Sequence, residues 1–143
     1  MSISCDWLAA CQLAIVDKLS GRTSLVHVLE TVTSARFPAQ VPTFHVVATW
    51  HNHTEMMATG RLRVRIDEVG GDPGAALSEE EVTFHGKTSH RMICIVQSLA
   101  VLRPGPYRVV ASLQLSGAEQ WADVAVFPFH VAMSANSPQA AQA

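Results

Sequence analysis

The stretch Leu102-Arg-Pro-Gly-Pro-Tyr-Arg-Val-Val-Ala-Ser-Leu-Gln-Leu-Ser-Gly117 decides the fold class. Its Pro/Gly breaker ends whatever precedes it, because proline fixes φ and has no amide proton to donate. Behind the breaker, Tyr107, Val109, Ala111, Leu113 and Leu115 recur at every second position. A period of two is the period of a strand, so these five side chains share one face. Ser116-Gly117 supplies a turn signal, and a second run reaches Phe129. The stretch predicts a β-hairpin with one buried face, pairing Tyr107–Leu115 with a run from about Trp121 to Val131.

The same reading extends in both directions. Cys5–Val16 predicts a strand with Trp7, Ala9, Cys11, Leu13 and Ile15 on one side. Its other side is nearly as apolar, which predicts cover on both faces. A helix is the alternative, given the propensity of Ala-Ala-Cys-Gln-Leu-Ala. Asp17–Arg22 reads as a hairpin loop into a second run, Ser24 to Ala35, and Phe37–Pro42 as an extended edge or crossing segment. Thr43–His51 predicts a strand with Phe44, Val46, Ala48 and Trp50 inward. In Arg61–Asp67, Leu62, Val64 and Ile66 face the core, while Arg61, Arg63, Arg65 and Asp67 face water. Glu79–His85 is a short strand, and Met92–Leu102, apolar on both parities, reads as central. Ala132–Ala143 has no pattern and reads as a mobile tail. This gives a single domain over 1–131 and a tail over 132–143, with about eight strands in two antiparallel sheets. The fold class is an all-β sandwich. Trp7, Trp50 and Trp121 are expected to anchor its core, each lying on the apolar side of its strand.

Composition narrows the function. Of 143 residues, 15% are charged, against roughly 25% in a typical soluble protein. The formal net charge is -2, so no global field attracts nucleic acid or an anionic membrane. Low surface charge favours association, either with a protein partner or with a second copy. Three cysteines, Cys5, Cys11 and Cys94, form no C-x-x-C motif and are odd in number. They read as small buried hydrophobes in a reducing, cytoplasmic compartment. No basic n-region or long apolar run suggests a leader or a membrane span.

Candidate chemistry is sparse. His51 and His53 form an H-x-H pair, and His45 shares their parity, so these three are the candidate metal ligands. No further motif supports them, and solvent-facing histidines beside a loop are the plainer reading. Ser24 with His27, and Ser89 beside His90, put hydroxyls near imidazoles without a nucleophile elbow. Arg61, Arg63 and Arg65 form the candidate interaction stripe. They are suited to a phosphate or an acidic partner or, more plainly, to cross-strand pairing with Glu79–Glu81. No catalytic residue and no cofactor is expected.

One resemblance spans most of the chain. The order Cys5-Asp-Trp-Leu, Val16-Asp-Lys-Leu-Ser, Val28-Leu-Glu, Phe37-Pro-Ala, Pro104-Gly-Pro-Tyr-Arg-Val and Phe127-Pro-Phe-His-Val resembles a bacterial family of short single-domain proteins of unknown function. The resemblance implies an immunoglobulin- or C2-like sandwich, bacterial origin and no assigned enzyme activity. A tyrosine placed just after a turn, as Tyr107 is, also resembles the tyrosine corner of immunoglobulin-like domains. The expectation is a non-catalytic interaction or assembly module, with a small-ligand or metal-binding domain as the alternative.

Overall fold

In the computed structural model, which describes residues 2–134, every regular element is a strand. Among the described residues there are eleven: β1 (Ile3–Val16), β2 (Thr23–Val28), β3 (Thr31–Ser34), β4 (Ala39–Val41), β5 (Phe44–Asn52), β6 (Ala58–Glu68), β7 (Ala76–Phe84), β8 (Ser89–Val96), β9 (Leu99–Val101), β10 (Gly105–Leu115) and β11 (Ala122–Met133). They form a four-stranded sheet in the order β2-β1-β5-β8 and a five-stranded sheet in the order β3-β11-β10-β6-β7. A two-stranded sheet joins β4 to β9. Every pairing is antiparallel except that of β3 with β11. The five-stranded sheet curls into a half-barrel.

One core lies between the inward faces. Phe44, Val46, Ala48 and Trp50 of β5 meet Leu62, Val64 and Ile66 of β6 and Tyr107, Val109, Ala111 and Leu113 of β10. Each of these rows is an alternating set read from the sequence. Fully burying one such large side chain contributes about 1.5–3 kcal/mol, which makes the rows the main source of stability. The leading hairpin, β10 with β11, forms as expected, with Tyr107 opposite Phe129 and Val109 opposite Phe127.

Several expectations need correction. The run Ser24–Ala35 is two strands in two sheets: β2 pairs with β1, while β3 crosses to pair with β11. The His130 amide donates to the Glu30 carbonyl and the Ser134 amide to the Ser34 carbonyl, which holds the crossing segment on its new sheet. Met92–Leu102 is likewise divided. β8 ends the four-stranded sheet instead of lying at its centre, and β9 belongs to the small sheet. Ala132 and Met133, expected in the tail, are paired residues of β11. The expected tail from residue 135 onward lies outside the described residues.

β1 departs most from its reading. Cys5 pairs with Trp50 but Trp7 pairs with Thr49, so Asp6 is an extra residue in the ladder. A bulge of this kind shifts side-chain parity by one. Ile3, Cys5, Leu8 and Ala10 therefore face the core, and Trp7, Ala9, Cys11, Leu13 and Ile15 face outward. Trp7 is 46% exposed and does not anchor the core. Of the three tryptophans, only Trp50 is fully buried.

Beyond Cys11 the β1–β2 hairpin folds back over the outward face of its own sheet. Arg91 of β8 donates from Nη1 to the Gly21 carbonyl and to Thr23 Oγ1, both at 2.9 Å. Yet Thr23 pairs with Val16, and Arg91 lies in register with Thr49 and Trp7. In a straight strand Val16 would lie about 30 Å beyond Trp7, out of reach of any side chain. The Ala14 amide also donates to Nδ1 of His45 at 2.9 Å, three residues after Cys11 pairs with His45. The turn falls at Gln12 and His27, and His27 has a left-handed φ of 53°. The fold-back explains why outward-facing Cys11 and Val47 are buried without belonging to the main core.

The Tyr107 hydroxyl donates to the Arg103 carbonyl at 2.7 Å, and its ring stacks on Phe129 with centroids 5.8 Å apart. This bond ties the Pro/Gly breaker to the start of β10. Tyr107→Phe keeps the ring and removes the bond. Urea denaturation is expected to show a loss of about 1 kcal/mol without a change of fold.

Candidate functional site

The three candidate metal ligands do not converge. His45 and His51 lie six residues apart on the outward face of β5, about 20 Å along the strand. His45 is occupied with the Ala14 amide. The His51 and His53 rings meet edge to face, with centroids 4.6 Å apart. Among the described residues, no group of three or more His, Cys, Asp or Glu side chains is arranged to hold a metal ion.

What gathers at the His51–His53 end was not anticipated. Pairing of β1 with β5 sets Ser4 beside His51, and the bulge turns Asp6 towards them. Ser4 Oγ donates to Asp6 Oδ1 at 2.5 Å and lies 2.6 Å from His53 Nε2. Asp6 Oδ1 is 3.6 Å from the same nitrogen. A serine triad places its carboxylate on Nδ1, opposite the nitrogen that faces the hydroxyl, so that the acid sets the tautomer. Here acid and hydroxyl crowd one nitrogen, and Asp6 does not orient the ring for proton abstraction. Strand register brings these residues together, and nothing in local sequence signals it.

The other serine–histidine neighbours are also rearranged. Ser89 Oγ bonds Nδ1 of His51 at 2.8 Å, and His90 Nε2 bonds Glu80 Oε2 at 2.8 Å. Burial pushes the Cys5 thiol up to about 11 and raises Cys11 and Cys94 as well. Thiols so shifted are unreactive at neutral pH.

The arginine stripe lies on the outward face of β6, but its three members differ. Arg61 pairs with Glu79 across to β7, the cross-strand pairing expected. Arg63 stacks under Trp121, 4.0 Å from the ring centroid, and Arg61 lies 5.7 Å from the same ring. Trp121 is thus a cover for arginines and not a core anchor. Arg65 was expected in water but is only 6% exposed. Its Nε donates to both oxygens of Asp67, itself 2% exposed, and its Nη atoms donate to Ser112 and Asp123. Asp67 Oδ1 also accepts from the Gly74 amide at 2.8 Å. The approach is close enough that a Cβ at position 74 would lie 2.0 Å from the Ile66 carbonyl oxygen, which requires glycine there. The loop closes over Asp67 and removes it from solvent.

A second outward surface is apolar. Trp7, Leu13, Ile15 and Val28 are each between 42% and 48% exposed. On the folded-back hairpin, Ala14, Val16, Thr23 and Leu25 share the parity that faces the sheet, since Thr23 meets Arg91. Leu13, Ile15, Ser24 and Val26 share the opposite parity and point away, and none carries a charge. Sequence reading placed Trp7, Leu13 and Ile15 together on one side but took that side as covered.

Two outcomes are expected from the Arg65 network. The hydrogen-bonded Arg65 guanidinium holds the Asp123 carboxyl down at about 2, against about 3.9 in an unfolded chain. A depressed folded value adds stability above the unfolded value, and that stability disappears as pH falls from about 4 towards 2. In urea titrations across this window, Asp123→Asn is expected to show a flatter pH dependence than the parent. Arg65→Leu takes from buried Asp67 its closest cation and leaves it the Gly74 amide at 2.8 Å and Arg108 at 3.7 Å, with an expected loss of about 3 kcal/mol by the same measurement.

No curated protein matches this sequence. Solved structures with a similar course include a β-glucosidase from Listeria innocua, at 17% identity and a TM-score of 0.48, covering 73% of this chain and 15% of that one. The same enzyme with isofagomine aligns at 15% identity and a TM-score of 0.49, covering 88% and 16%. A β-glucosidase involved in saponin metabolism from intestinal bacteria aligns at 11% identity and a TM-score of 0.45, covering 87% and 16%. This chain therefore spans only a small part of those enzymes. A family model, "Family of unknown function (DUF6941)", matches residues 6–131, from β1 into β11. With the match running through nearly every strand described above, the chain belongs to DUF6941, a family of unknown function.

Proposed function

We propose that this protein is a non-catalytic assembly module that associates with a second copy of itself through the outward side of its four-stranded sheet. The observation that carries this is the exposed apolar surface of Trp7, Leu13, Ile15 and Val28. Strand spacing and rise give that side an area of roughly 500 Å². This is at the upper end of what a monomer leaves bare. With its rim it approaches the roughly 800 Å² per partner of a stable pair. Arg91 and Asp6, charged side chains on that side, are engaged with the hairpin tip and with Ser4, so the apolar patch selects no partner by sign but can match itself about a two-fold axis. The low overall charge points the same way.

The reading includes a broad architecture, two sheets, antiparallel but for the β3–β11 pair, packed as an immunoglobulin-like sandwich. The Tyr107 corner and the core common to both sheets support it. Three free cysteines suit a reducing compartment. No helix among the described residues is long and apolar enough to cross a membrane.

Size-exclusion chromatography with light scattering tests the association. The expected result is a dimer for the parent and a monomer for Leu13→Ser/Ile15→Ser, with unchanged circular dichroism. A parent that stays monomeric at its highest soluble concentration would overturn the proposal.

A further inference from the structure

We propose that the β1–β2 hairpin, residues 13–26, exchanges between two copies of this chain, each hairpin covering the outward sheet face of its partner. This rests on the self-association proposed above and adds a second contact to it: exchange carries the underside of each hairpin across, while Leu13 and Ile15 stay on the outer side for face packing.

The cover is already part of the chain, so its fit to the face beneath is on view. Its underside, Ala14, Val16, Thr23 and Leu25, lies over the side of the sheet that carries Val47, which is fully buried, while Ile93 and Ile95 at the β8 edge of that side stay exposed. Arg91 holds its tip and His45 holds its root. A second copy offers the same face with the same two holding residues, so an exchanged hairpin loses no contact. The hairpin is also a unit in its own right. The Asp17 carboxylate accepts from the Leu19 amide at 3.0 Å and from Ser20 Oγ at 2.7 Å, and the Gly21 amide donates to the Asp17 carbonyl. These bonds lock the turn without help from the sheet.

The hinge favours opening. Among the described residues, His27 is the one non-glycine with a positive φ. An L-residue in that region is disfavoured by about tenfold or more. The register is Cys11 with Val28 and Leu13 with Val26, which leaves Gln12 opposite His27, one for one. No extra residue sits at the bend. The ladder therefore straightens without re-pairing, and His27 returns to ordinary strand conformation. The folded-back monomer keeps this strain in each chain, and the exchanged dimer relieves it in both. The straightened arm extends about 23 Å past the hinge, enough to reach across a neighbouring sheet.

Two measurements test the exchange. His27→Gly removes the penalty of the bent form, and His27→Val increases it. By light scattering over a dilution series, His27→Gly is expected to raise the dimer dissociation constant at least tenfold, and His27→Val to lower it by as much. The second measurement bridges Thr23→Cys/Arg91→Cys with a short bis-maleimide, using the parent as control for its own thiols. Exchange yields covalent dimers on a denaturing gel, because the two positions that meet belong to different chains. A sample that scatters as a dimer yet yields only internally bridged monomers would overturn the exchange and leave association by face packing standing. A parent and a His27→Val variant that are both monomeric at every concentration would overturn both proposals.

Discussion

The four-stranded sheet is apolar on both faces, and a single core can bury only one of them. Much of the remaining structure follows from that constraint. The inward rows of β5 and the first half of β1 join the rows of β6 and β10. The outward row, with Val47 and Cys11 at its centre, needs a separate cover. β1 is long enough to supply one. It leaves the sheet after Cys11, bends with β2 at His27, and returns over the face it has just left. The strain at His27 is offset by burial of side chains that water would otherwise meet.

The five-stranded sheet faces the same problem and meets it with different chemistry. Its outward face holds Val110 and Ser112 in full burial, although no strand lies above them. Their cover is a layer of long polar side chains. Arg63 lies under Trp121, and Arg65 spans Asp67, Ser112 and Asp123. The methylene stems of arginine exclude water from the sheet, while the Arg65 guanidinium keeps charged partners and that of Arg63 keeps the Trp121 ring. Removing Arg65 would therefore expose apolar surface and take the closest cation from a buried carboxylate at the same time. Such a layer stabilises a sheet face but leaves it charged, which is why the apolar patch of Trp7, Leu13, Ile15 and Val28 on the other sheet is the better candidate for association.

Period-two alternation was legible wherever one face meets the core and the other meets water. The rows Phe44–Trp50, Leu62–Ile66 and Tyr107–Leu113 lie where their spacing puts them. Legibility failed where the pleat is interrupted or a strand changes partners. One extra residue at Asp6 reversed the parity of Trp7. Leu29-Glu30 broke an apparently continuous run, because β3 finds its ladder on β11 about a hundred residues away in sequence. The candidate sites failed in the same way. His45, His51 and His53 share a parity but not a place, since six residues of strand separate two of them. Ser4 and Asp6, which do meet His53, carry no motif and arrive by register alone.

By itself the sequence determined the all-β class, the inward rows and the closing hairpin anchored at Tyr107, because each depends on neighbours within a strand or across a turn. Family membership follows from the sequence too. Only the tertiary structure decided that Trp7 and Trp121 leave the core, that Arg65 enters a buried network, and that the β1–β2 hairpin folds onto its own sheet. Those outcomes depend on which distant strand lies alongside. Side-chain spacing specifies a face, but the partner that covers that face is set by packing of the whole chain.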